Sequence, residues 1–64
     1  MPEAKVVWDA PKAFIVRLRW QPAGEAAERE MFQVLRVEQD LIREIADYRV
    51  LGAATKTAKR FAAS

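Results

Sequence analysis

Two segments of this chain alternate apolar and charged side chains, and this alternation limits the folds that the chain can adopt. In segment 12–20, KAFIVRLRW, apolar side chains occupy every second position from Phe14 to Trp20. Successive side chains of a β-strand point to opposite faces, so this segment predicts a strand with one apolar face. Segment 31–50, MFQVLRVEQDLIREIADYRV, contains two further runs that can pair with it.

Segment 25–50 also fits a second interpretation, a single long helix. Its apolar residues fall on one helical stripe, and Gly24 and Gly52 stand where the ends of such a helix would lie. Against this, Glu38 and Arg49 would interrupt the stripe, and several β-branched residues disfavour a helix. Periodicity alone therefore leaves both interpretations open.

Strand pairing favours the sheet. A two-residue turn at Gln39 and Asp40 places Val37 opposite Ile42. A slip of one residue would move every side chain to the other face, so agreement along a whole register is evidence for strands. The same register predicts Arg36 opposite Arg43 and three rows across the sheet: Ile15-Val34-Ile45, Arg17-Phe32-Asp47 and Arg19-Glu30-Arg49.

The sequence thus predicts one α+β domain, with a curved antiparallel sheet of three to four strands and a short C-terminal helix. The predicted strands span about 4–8, 13–20, 29–38 and 41–50, and the predicted helix about 52–62. One face of the predicted sheet is apolar and carries Val7, Phe14, Val16, Leu18, Trp20, Met31, Leu35, Val37, Ile42, Ala46 and Tyr48.

Composition excludes several kinds of chemistry. The 64 residues include no histidine and no cysteine. The commonest general base, a serine-histidine triad, thiolate-held metals and disulfides are therefore excluded. Gly24 and Gly52 are the only glycines, so there is no glycine-rich phosphate loop. We expect no metal and no cofactor.

Charge and hydropathy give further expectations about location and partners. No segment is apolar enough to span a bilayer, and the first residues lack a basic and apolar secretory signal, so we expect a cytoplasmic protein without a membrane partner. Lys56, Lys59 and Arg60 make residues 53–64 basic. Because cations suit a helix C-terminus, we favour that role over phosphate binding and expect no nucleic-acid partner.

RLRW followed by MFQVLRVEQDLIREIADYR resembles the last strands of SnoaL-like domains, members of the nuclear transport factor two-like superfamily of cone-shaped α+β folds. Val37, Ile42, Asp47 and Tyr48 match its apolar strand, turn and closing strand. The resemblance covers about residues 4–61, which correspond to the C-terminal half of a family domain. It implies half of a cone-shaped fold, completed by oligomerisation. Family members include cyclases, isomerases, hydrolases and noncatalytic binding proteins.

Asp47 and Arg17 are the candidate catalytic residues. The predicted register places Asp47 beside Phe32, and a carboxylate against an aromatic wall can act as a general base. Alternatively, these charges form a solvated lattice on an exposed face. Trp20, Phe32 and Tyr48 are candidate binding residues for a small apolar ligand, although such aromatic residues more often anchor a core or an interface.

We expect a small noncatalytic protein that forms a homodimer or a larger homo-oligomer. One short helix cannot cover the predicted apolar face, whereas a second copy laid face to face can. The alternative is a small-molecule binder or an enzyme of the isomerase, cyclase or hydrolase type, with an apolar pocket formed across the oligomer. The expected interface residues are Phe14, Val16, Leu18, Met31 and Leu35.

Overall fold

The computed structural model describes residues 2–63, which form an antiparallel sheet with one helix packed against it. The four strands lie in chain order across the sheet. The predicted α+β fold is therefore confirmed, and the alternative of a long helix over 25–50 is wrong. The elements are β1 (Glu3–Ala10), β2 (Ala13–Trp20), β3 (Arg29–Glu38), β4 (Leu41–Tyr48) and α1 (Leu51–Ala63).

A two-residue turn joins β3 to β4 at the predicted position. Gln39 and Asp40 have φ angles of 52° and 62°. Positive φ at both central residues suits the right-handed twist of a hairpin, and it is the conformation in which asparagine and glycine are preferred. Neither residue here is glycine, so the turn carries some backbone strain.

The central strands pair in the predicted register. Arg19 and Glu30 lie opposite each other, and Arg19 Nε donates to a Glu30 carboxylate oxygen at 2.7 Å. That contact raises the pKa of the Arg19 guanidinium, first through the hydrogen bond and then through the negative charge of Glu30. The other central pairs include Phe14 with Leu35, Ile15 with Val34, Arg17 with Phe32 and Leu18 with Met31.

A β-bulge in β4 changes the predicted register of the last strand. Val37 lies opposite Ile42 as expected, but Arg36 lies opposite Glu44, so Arg43 is the extra residue. Beyond the bulge, the side chains of β4 exchange faces relative to the prediction. The predicted places of Ile45 and Asp47 in their rows are therefore wrong. The observed pairs are Leu35 with Ile45, Val34 with Ala46, Gln33 with Asp47 and Phe32 with Tyr48.

Charge and packing both favour the bulge. The predicted register placed Arg36 opposite Arg43, whereas the bulge brings Glu44 opposite Arg36. Arg36 Nε donates to a Glu44 carboxylate oxygen at 3.1 Å. The bulge also turns Tyr48 towards the helix, where its hydroxyl oxygen accepts a hydrogen bond from the buried Thr57 hydroxyl at 2.6 Å.

A second bulge lies in β1. Val6 pairs with Val16 and Trp8 pairs with Ile15, which leaves Val7 as the extra residue. Val7 and Trp8 both pack against the core beside the helix. The prediction that Val7 lies on the broad apolar face is therefore wrong, and Val6 lies there instead.

The helix covers the sheet face that carries Ile15 and Val34, both fully buried. Its buried residues are three or four positions apart, which places them on one side of α1. Ala54 and Ala58 are small and allow close approach to the sheet, while Phe61 fills the space near the hairpin tips. The core consists of Ala13, Ile15, Phe32, Val34, Ala54, Ala58 and Phe61.

The bulged register makes Tyr48 a structural residue, and substitution can test this. Tyr48→Phe leaves the buried Thr57 hydroxyl without its acceptor, so we expect the free energy of unfolding to fall by about 1–2 kcal/mol in urea denaturation. Thr57→Val should have a similar cost. Because both variants remove one hydrogen bond, the double variant should cost less than the sum, and strictly additive costs would contradict the contact.

Candidate functional site

The sheet face opposite α1 is left open by every element within residues 2–63, and we call it the open face. Three of its side chains remain more than half exposed: Val6 at 53%, Ile42 at 56% and Ile45 at 57%. Large apolar residues are normally withdrawn from water, so their concentration on one face needs an explanation. The apolar side chains there are Val6, Phe14, Val16, Leu18, Trp20, Met31, Leu35, Val37, Ile42 and Ile45.

Polar groups are few on the open face, and they lie on the edge strands and on β3, where Arg29 is opposite Trp20. Asp47 on β4 lies opposite Gln33 on β3, and Asp9 lies near the end of β1. The alternate residues of β2 that point to this side, from Phe14 to Trp20, are all apolar. The open face is therefore apolar along the whole of β2, and Gln33 is a polar side chain in the middle of β3.

The five residues expected at an interface all lie on the open face. Leu35 is already 8% exposed, because its neighbours on the sheet cover it. The other four are half-buried, so each retains surface that a partner can cover. The five are Phe14, Val16, Leu18, Met31 and Leu35.

The candidate catalytic residues lie on opposite faces of the sheet. Asp47 points to the open face and is exposed, whereas Arg17 shares the helix side with Phe32. The predicted placement of Asp47 beside Phe32 is wrong because of the β4 bulge. Arg17 instead lies near Glu3, with 3.7 Å between the guanidinium and the carboxylate.

The candidate ligand-binding residues are also separated. Trp20 lies on the open face, while Phe32 is 5% exposed beneath the helix. Tyr48 lies opposite Phe32 and bonds to Thr57 of the helix. These three aromatic side chains therefore do not line one pocket within a single chain, and Trp20 alone is placed to meet a partner on the open face.

One hollow lies at the hairpin tips. It has a volume of about 690 Å³ and reaches from Lys12 to Phe61. Its guanidinium, Arg36, is held by Glu44 and by Glu38 at 3.2 Å. The positive charge of Arg36 is therefore already paired.

A second hollow, of about 450 Å³, brings together three arginines that the predicted rows also placed on one face of the sheet. Arg17 and Arg19 come from β2, and Arg49 comes from the bend after β4. The alternation in RLRW places both β2 arginines on one face of the sheet. Arg49 joins them because the chain turns there into the helix.

No helix within residues 2–63 is long and apolar enough to cross a membrane. They also contain no group of three or more acidic, histidine or cysteine side chains placed to hold a metal ion. Comparison with protein-family models, curated proteins and solved structures found no match to this chain.

The exposure of Asp47 gives a test of its position. Among the described residues, none makes an ion pair or side-chain hydrogen bond with Asp47. We therefore expect Asp47→Asn to change the free energy of unfolding by less than about 0.5 kcal/mol. Phe32→Ala in the core should cost about 3–5 kcal/mol in the same urea titration. A large loss for Asp47→Asn would contradict the observed register.

Proposed function

We propose that this chain is a small noncatalytic self-association module in which two copies pack their open faces together. The observation that carries the proposal is the apolar surface left uncovered opposite α1. Its side chains on β2 and β3 are apolar except for Gln33 and the terminal Arg29, and Val6, Ile42 and Ile45 extend the apolar surface to both edge strands. A second copy offers a surface of the same size and chemistry, as a two-fold symmetric interface requires.

The area of the open face suits such a pairing. Four strands spaced ~4.8 Å apart, each ~8 residues long at ~3.3 Å per residue, present a face of roughly 500 Å². Two copies would together bury roughly 1,000 Å² if each face is treated as flat, and side chains that project from the sheet would add to this area. This is about the lower limit for a specific interface. The small size of the chain thus does not prevent a specific dimer.

Energetics also favour coverage of the face. Complete burial of a valine or isoleucine side chain contributes about 1.5–3 kcal/mol, so covering the exposed half of Ile42 or Ile45 contributes on the order of 1 kcal/mol. A 64-residue domain buries a smaller fraction of its surface than a larger one and is marginally stable alone. Association would therefore also stabilise the fold of each copy.

The packing that we propose is a sandwich of two sheets, with a helix on each outer side. Sheets packed face to face lie about 10 Å apart, with side chains of both inner faces interdigitating. Asp47 and Asp9 on the edge strands would lie at the polar rim, where carboxylates stay in water. The resemblance to SnoaL-like domains supports this arrangement, because helices cover the concave sheet there and a second copy would take their place here.

A role in association rather than catalysis fits the side chains available. The chain has no histidine or cysteine, and Asp47 and Arg17 lie on opposite faces. The chemistry that the open face presents is apolar contact. We therefore place the function of this face in binding a second copy.

Two equally exposed residues on opposite faces give a matched test. Ile45 on the open face is 57% exposed, and Leu41, on the helix side of the β4 start, is 56% exposed. We expect light scattering at low micromolar concentration to give twice the chain mass for the natural chain and for Leu41→Glu. Ile45→Glu should shift the mass to that of one chain, because the dimer would bury an unpaired carboxylate.

Three outcomes would contradict this proposal. The first is a natural chain that remains a folded monomer at these concentrations. The second is an unchanged dimer mass for Ile45→Glu, and the third is equal dissociation by Leu41→Glu. Circular dichroism of each variant distinguishes dissociation from unfolding. If Ile45→Glu unfolds, the milder Ile45→Ser provides the same comparison.

A further inference from the structure

We propose that the arginine-lined hollow on the helix side of the sheet binds a phosphate monoester that carries a small apolar group. The hollow lies where β1, β2 and β3 meet the start of α1, and its volume is about 450 Å³. It is on the sheet side opposite the open face, so it stays accessible when two copies pair there. The site is thus independent of the proposed self-association.

The charges in the hollow leave two guanidinium groups available. Glu30 holds Arg19 through a 2.7 Å contact. Within residues 2–63, Arg49 makes no ion pair. Arg17 has only the 3.7 Å contact from its Nη2 to Glu3, whose side chain is 63% exposed. A negatively charged ligand would pair with Arg49 and would compete with the exposed Glu3 for Arg17.

Arg17 carries the clearest sign of a missing partner. Its Nε atom is buried, and no group of the described chain accepts a hydrogen bond from it. A buried guanidinium N–H without an acceptor costs free energy, so Arg17 is not fully satisfied by its neighbours in the described chain. Two guanidinium groups also match the oxygen geometry of phosphate, because each can donate two parallel hydrogen bonds.

The remaining walls of the hollow define the rest of the ligand. Apart from Glu30, which holds Arg19, they are apolar, so an apolar substituent on the phosphate would find contacts on several sides. The first turn of α1 borders the hollow and contains no acidic residue that would repel an anion. The apolar wall residues are Val7, Phe32, Val50 and Leu51.

Isothermal titration calorimetry of the full chain at low ionic strength tests the site with three probes. Phenyl phosphate has both features that the hollow favours, inorganic phosphate lacks the apolar group, and benzoate has one charge. We expect saturable binding of phenyl phosphate, with inorganic phosphate and benzoate each at least about tenfold weaker. Raising the salt concentration should weaken phenyl phosphate binding, because screening reduces charge attraction.

Substitution of single arginines tests whether phenyl phosphate binds in this hollow. Arg49→Gln and Arg17→Gln should each weaken phenyl phosphate binding by about tenfold. Arg43→Gln removes the same charge from the β4 bulge, outside the hollow, and should leave the affinity unchanged. Arg49 is exposed, so Arg49→Gln keeps the test valid if Arg17→Gln fails to fold.

Three results would overturn the proposal. The absence of saturable phenyl phosphate binding would exclude the site. Benzoate binding as tightly as phenyl phosphate would assign the hollow to carboxylates instead. Equal losses for Arg43→Gln and Arg49→Gln would show only a general attraction to positive charge. The chain mass measured by light scattering is unaffected by any of these results, so a failure here is distinguishable from a failure of self-association.

Discussion

The packing of one helix on one face of the sheet is the constraint on which the rest of this structure depends. Ala54 and Ala58 bring α1 close to Ile15 and Val34, and these residues form a core that excludes water. The helix has a single apolar side and can cover a single face. Since the sheet carries apolar side chains on both faces, the apolar side chains of the other face are left uncovered by the helix. The single helix therefore explains both the internal core and the open face.

The two bulges determine which side chains belong to each face. In β4 the extra residue Arg43 turns Tyr48 under the helix and Ile45 outward. In β1 the extra residue Val7 joins the core while Val6 points to the open face. A bulge leaves one residue unpaired between two strands. Here it also allows the hydrogen bond between Tyr48 and Thr57 and gives Arg36 a carboxylate partner. The same local irregularity separates Asp47 from Phe32, which weakens the case for carboxylate chemistry.

The two proposed sites use opposite sides of the sheet and different physical forces. The open face offers apolar area with its few carboxylates near the rim, which suits association with an identical surface. The hollow near the start of α1 offers guanidinium groups within apolar walls, which suits a small anion. Arg17 and Arg19 lie in that hollow because they alternate with Val16 and Leu18 along β2. One strand thus contributes an apolar row to one site and a charged row to the other.

The sequence alone determined the strands, the turn at Gln39 and Asp40 and the register of the two central strands, because side-chain alternation and pairing are local properties. It also placed the five expected interface residues on one face, since all of them lie on β2 and β3. The tertiary structure decided the face of every β4 residue beyond Ile42. A bulge has no signal in the alternation itself, and its position depends on contacts with Thr57 of the helix and with Arg36 of the neighbouring strand. For the same reason, only the fold could show that Asp47 lies on the opposite face from Arg17 and that Arg49 lies in the bend before α1.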